Sequence, residues 1–264
     1  MAKTILKINL ITAIFVASLL NAQLFRTKDR MDLEGGGNDE QKFNYGFYLA
    51  ANNFDYKMVL DPKFGMGIDK QKSLVQTKST YSFGAGLIGK LKLNDNFDLR
   101  IEPALQFVER EIYFDTQSNN RFSAGTPANQ PFTPSVLTDA DKLRMVKSTY
   151  VDIPVLIEVH GDRWYNSRPY VATGVNWMMN LQSNSKAEDD NQQGIFRTTA
   201  SNFAWSAEIG MQFYFSIFKL TPGFRGTFMI NNESVADNAE TPPYWSSAIS
   251  SAKSRAFMFV LKFE

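Results

Sequence analysis

The stretch STYVDIPVLIEVHGD, Ser148 to Asp162, decides how the rest of the chain is read. Val151, Ile153, Val155, Ile157 and Val159 alternate with Asp152, Pro154, Leu156 and Glu158, the period of two that belongs to a strand. One set is wholly apolar, while the other carries two carboxylates and a proline. Proline cannot donate to a sheet ladder and normally keeps to edges or bulges. The pattern is consistent if the two faces meet different solvents. The valine and isoleucine set meets lipid, and the set from Tyr150 through Glu158 points into a barrel. A closed barrel offers no free edge, so a β-bulge or a skipped ladder bond is expected at Pro154.

Seven further segments alternate in the same way. They begin at Phe43, at Tyr81, and with FDLRIEPALQFVER at Phe97, and continue at about residues 169–181, 203–215, 218–230 and 255–263. Strands of about ten residues suit a tilted bilayer crossing, whereas soluble strands more often have five or six. The connections alternate long and short. Asn94-Asp95-Asn96, HGDRWYNSR and Ser216-Ile217 are short, and between them lie stretches of about 20 to 30 residues. An even strand count with short periplasmic turns and long outer loops defines an outer-membrane barrel. The expected fold is therefore all-β: an eight-stranded antiparallel up-and-down transmembrane β-barrel. Trp164 and Tyr165 at a short turn, with Tyr170 just beyond, fit an interfacial aromatic girdle. A soluble lipocalin-type barrel is the alternative. It would turn the minor face outward, but that face is mostly Gly, Ala, Ser, Thr and Asn, too weakly charged for a solvated exterior.

The N-terminus, MAKTILKINLITAIFVASLLNAQ, has two lysines, an apolar run from Ile8 to Leu20, and Asn21-Ala22. That is the order of a secretory signal peptide, and the apolar run is short for a spanning helix. Residues 1–22 are expected to be the signal peptide, 23–42 a flexible lead-in containing Gly35-Gly36-Gly37, and 43–264 the barrel. The balance of 28 basic against 27 acidic residues argues against the basic footprint of nucleic-acid binding. Without cysteine there is no disulfide, thiolate metal site or thiol nucleophile.

Nothing in the chain has the pattern of a catalytic, cofactor or metal site. His160, the single histidine, follows the fourth strand without an evident nucleophile and is read as a turn or interface residue. Glu188-Asp189-Asp190-Asn191 lacks the spacing and glycine of a calcium loop. The charged residues with a predicted task are those opposite the aromatics: Arg100, Glu102, Asp152, Glu158, Glu208, Arg225 and Lys262. Eight strands leave an interior that side chains just fill, and an unpaired charge there costs several kcal/mol. These seven are expected to form an ion-pair and hydrogen-bond network that plugs the lumen, with a gated pore as the alternative.

Four segments carry a resemblance. RIEPALQF (Arg100–Phe107), TYVDIPVLIEV (Thr149–Val159), RPYVATGVN (Arg168–Asn176) and the closing FMFVLKFE together resemble the PorT family of outer-membrane β-barrels of Bacteroidetes. That family has an aromatic–x–acid–Ile–Pro–aliphatic run followed closely by Arg-Pro-Tyr-x-x-x-Gly. Here Phe263 is followed by Glu264, a departure from the terminal aromatic common in such barrels. The resemblance implies a non-enzymatic component of the type IX secretion system, supporting protein export and gliding motility. Its partners would be outer-membrane lipid and other secretion-system proteins. Residue chemistry alone equally allows a generic structural, adhesin-like or weakly conducting barrel.

Overall fold

The computed structural model describes residues 41–62, 65–66, 73–115, 138–187, 196–215, 218–236 and 245–264. The expected signal peptide, the glycine-rich lead-in up to residue 40, the acidic run at Glu188 and the prolines at 127, 131 and 134 lie outside the described residues. The strands are β1 (Phe43–Leu60), β2 (Val75–Ser79), β3 (Tyr81–Lys92), β4 (Phe97–Ile101), β5 (Ala104–Phe114), β6 (Leu143–His160), β7 (Ser167–Asn180), β8 (Ser201–Tyr214), β9 (Lys219–Met229) and β10 (Ile249–Phe263). A single turn of helix, Asp139–Lys142, precedes β6.

All pairings are antiparallel. β1 bonds to both β10 and β3, and every other neighbour follows in chain order, so the sheet closes on itself. β2 and β3 are two parts of one stave, as are β4 and β5, which gives a ring of eight. Closure removes the free edges that a sheet in lipid could not satisfy.

The outward face of each stave carries an apolar belt. On the third stave it runs Phe97, Leu99, Ile101, Pro103, Leu105 and Phe107, then turns to Glu109 and Glu111. Phe47 stacks on Phe263 at 5.1 Å, and Trp205 on Phe228 at 4.7 Å. Glu264 turns inward, so Phe263 is the last outward aromatic; it also meets Phe218 at 6.4 Å.

Several strands continue well past the belt. β1 and β6 each have 18 residues, about 60 Å of strand, against the ~30 Å of hydrocarbon to be crossed. The sequence shows only the lower part because above the belt the outward residues become Asp55, Lys57, Lys147, Lys253 and Arg255. The lipid signal stops there while the ladder goes on.

At Pro154 the second of the two expected alternatives, a skipped ladder bond, is what the ladder shows. The registers of β6 with β7 and with β4–β5 pass through it unshifted, so there is no bulge. What is lost is one bond. The Glu102 amide donates to the Pro154 carbonyl at 3.1 Å, and proline has no N–H to return it. Pro103, next to Glu102, likewise accepts from the Leu87 amide at 2.9 Å without donating back. Two adjacent one-way pairs account for the gap between β4 and β5. The irregular registers lie near the loop end instead, at Val59–Leu60 and around Thr80. There Ser79 pairs with Arg110 and Gly84 with Gln106, so five steps on one stave face four on the other. The Thr80 hydroxyl fills the irregularity by donating to the Glu109 carbonyl at 2.7 Å.

Candidate functional site: a charge-filled lumen

The alternation that turns the aromatics outward turns a dense polar set inward. Arg100, Glu102, Asp152, Glu158, Glu208, Arg225 and Lys262 all face the lumen and are buried. Six of them meet. Glu102 pairs with Arg100, Arg225 and, at 3.1 Å, Lys262. Glu208 takes Arg225 at 2.5 Å, Lys262, and Arg100 at 3.5 Å. Arg100 also reaches Glu158. Each carboxylate thus serves more than one cation, which is what makes burying so much charge tolerable.

Asp152 stands apart from that set. It accepts from the Asn176 side chain at 2.8 Å, within a chain that runs through Ser206 (2.7 Å) to Thr227 (2.8 Å). Among the described residues no cation lies within ion-pair distance of it. It belongs to a middle layer of hydrogen-bonded side chains with Asn52, whose amide donates to Gln106 at 2.8 Å.

The network extends beyond the seven residues expected from the sequence. Lys90 bridges Asp98 at 2.7 Å and Glu158 at 2.8 Å. Gln212 donates to Glu158 at 2.6 Å and accepts from Tyr214 at 2.8 Å. Lys219 pairs with Glu264. Across these layers Asp98, Glu102, Glu158, Glu208 and Glu264 stand against Lys90, Arg100, Lys219, Arg225 and Lys262, a balanced set. All of them stand at inward parity along their strands.

Two placements are corrected. Tyr170 is 2% exposed and points inward, its hydroxyl donating to Glu208 at 2.6 Å. It lies over two glycines: a Cβ on Gly210 or Gly223 would come within 2.7 or 2.6 Å of that hydroxyl. Trp164, at 65% exposed, and Tyr165 lie in the short turn between β6 and β7. His160 is no surface turn residue, because its ring is buried with Nε2 3.1 Å from Asp98. Asp98, Glu158 and His160 bring possible metal donors within 4.8 Å of one another. The Lys90 ammonium already lies against both carboxylates, so the cluster works as an ion pair.

Toward the loop end the filling becomes apolar. Tyr56, Ile112, Phe114, Val146, Phe196, Trp245 and Ile249 form one buried cluster. Arg110 stacks on Tyr56 at 3.8 Å and donates to Ser254 at 2.5 Å and Tyr150 at 3.0 Å. Ser254 in turn donates to Glu233 at 2.7 Å. Glu233 sits in the β9–β10 connection, where burial pushes its carboxyl above the usual range.

A closed ring of eight staves, a lipid belt outside and paired charge inside define a membrane barrel with a charge-filled lumen. The chain belongs to the family described as outer membrane protein beta-barrel domain, matched over residues 21–235. It is thus an outer-membrane protein in contact with lipid. A search of curated proteins returns no match. Among solved structures it is similar to OprG from Pseudomonas aeruginosa, with 13% identity, 83% of this chain and 93% of that one covered, and a TM-score of 0.36. For the Neisserial surface protein NspA the values are 10%, 83%, 97% and 0.36. For Ail, the attachment invasion locus protein of Yersinia pestis, they are 10%, 88%, 99% and 0.35.

Proposed function

We propose that this barrel is a non-enzymatic, PorT-like component of the type IX secretion system, serving as a sealed membrane anchor for other secretion-system proteins rather than as a conduit. The supporting observation is where the PorT-like segments fall. RIEP supplies Arg100, Glu102 and the one-way Pro103. YVDIPVLIEV supplies Asp152, Pro154 and Glu158. RPYVATG supplies Tyr170 over Glu208, and Gly174, where a Cβ would lie 2.0 Å from the Val155 carbonyl oxygen. The closing strand supplies Lys262. The resemblance is therefore carried by the residues that build the lumen, not by a general lipid-facing pattern. A filled lumen leaves the loops and the short-turn end as working surfaces, and export begins with the cleaved signal peptide at residues 1–22.

The second reading is a structural or adhesin-like barrel with no part in secretion. The long staves that carry charged side chains beyond the lipid belt favour it. Gene deletion separates the two. Accumulation of secreted proteins in the periplasm, with loss of gliding where the host glides, supports the first. Normal secretion in the deletion strain refutes it and leaves the second.

A further inference from the structure

Lys57 on β1 and Lys253 on β10 are direct partners across the ladder. Both point outward, just above the lipid belt. Like charges opposite one another weaken a sheet, and among the described residues neither lysine has a carboxylate within ion-pair distance. The carboxylate beside them in the register, Asp55, is already engaged. Arg255 donates to one of its oxygens at 2.7 Å; Thr77, at 3.0 Å, and the Tyr56 amide, at 2.8 Å, donate to the other. Among the described residues the barrel thus holds two ammonium groups without a carboxylate partner, and a guanidinium, just above the apolar belt, the level at which lipid headgroups are expected.

Below them the lipid face is concave. A groove of about 890 Å³ begins at Tyr81 and Asn53 and crosses the barrel obliquely. Its course follows one row of the register, Asn53, Phe257, Gly226, Ala207, Thr173 and Ile157, each on the next stave. Alanine, glycine and threonine in that row leave room that phenylalanine fills elsewhere on the belt.

We propose that this corner of the barrel binds a phosphate-bearing lipid of the outer leaflet. The phosphate bridges Lys57 and Lys253, with Arg255 beneath, and an acyl chain lies along the groove. Charge complementarity selects the headgroup, and continuity with the lipid belt selects a lipid over a free anion. The proposal rests on the outer-membrane assignment and stands whether or not the barrel serves secretion.

Native mass spectrometry of the detergent-purified barrel provides the test, with phosphorylated lipid A, its dephosphorylated counterpart and inorganic phosphate as probes. The wild type should retain phosphorylated lipid A and lose the dephosphorylated form. Retention should fall about fivefold for each of Lys57→Gln and Lys253→Gln, and Ala207→Phe, which fills the groove, should lower it with both lysines intact. Heat-modifiable gel migration checks that each variant is folded. Equal retention of the two lipids by the wild type would overturn the proposal without any variant. So would an unchanged Lys57→Gln/Lys253→Gln double variant, or complete displacement of the lipid by inorganic phosphate, which would mark a simple anion site.

Discussion

Arg225 donates to Glu102 from a stave four places away in a ring of eight, so the pair spans the full diameter of the lumen. Such a contact places side chains across the middle of the lumen. Neighbouring contacts reinforce it: Lys262 reaches the same carboxylate at 3.1 Å, and Arg100 holds its other oxygen.

The first prediction concerns conduction. Purified protein in planar bilayers should show no stable open-channel current at neutral pH. Regular steps comparable to those of water-filled barrels would contradict the plugged lumen.

Glu102→Gln should be among the most damaging single changes in the network, because three buried cations lose a partner together. Removing one member of a buried pair costs about 3–5 kcal/mol. Glu109→Gln, which loses only an exposed contact with Lys147 at 3.5 Å, should cost no more than about 1 kcal/mol. Urea unfolding of the refolded barrels, followed by gel migration, measures both.

Gly223→Ala should push the Tyr170 hydroxyl away from Glu208, at a cost of about 1–3 kcal/mol. In a Tyr170→Phe background the clashing oxygen is already gone, so the same change should cost clearly less. A double-mutant cycle with additive losses would show that the ring does not rest on this glycine.

Pro154→Val restores an N–H opposite the Glu102 carbonyl. Its amide should be protected in hydrogen exchange, with overall stability within about 1 kcal/mol of wild type. A fast-exchanging amide at 154 would show that the strand is distorted there rather than short of one bond.

Glu233 supplies a pH dependence outside the membrane. Its carboxyl is held above the ordinary range by burial, so the folded state binds that proton more tightly than the unfolded one. Its contribution is present below the ordinary carboxylate pKa and is lost as pH rises through the folded value. Glu233→Gln should therefore leave stability unchanged in acid and raise it relative to wild type at neutral pH. Thermal unfolding from about pH 4 to pH 8 covers the window.

Much of this was legible because lipid and lumen impose opposite demands on alternate residues. The opening stretch, Val151 to Val159, already shows both faces, and the parity of Arg100, Glu208 and Lys262 follows from their aromatic neighbours. Parity is as far as that reading goes. It could not say that Tyr170 faces Glu208 rather than the interface, since tyrosine suits either side. Nor could it give the upper reach of β1 and β6, where both faces meet polar surroundings. At Pro154 it left bulge and lost bond as alternatives, because only the register of both neighbouring strands distinguishes them.

The diametric bracing also has a consequence for assembly. The partners of Glu102 come from Arg225 and Lys262, more than a hundred residues further along the chain. A partly inserted sheet, before β9 and β10 arrive, would hold Glu102 without two of its three cations. The final strand therefore brings more than the last row of ladder bonds: Lys262 joins the central carboxylates as Phe263 reaches Phe47. Ring closure and charge neutralisation become a single event, which penalises incomplete barrels and leaves the finished one strongly latched.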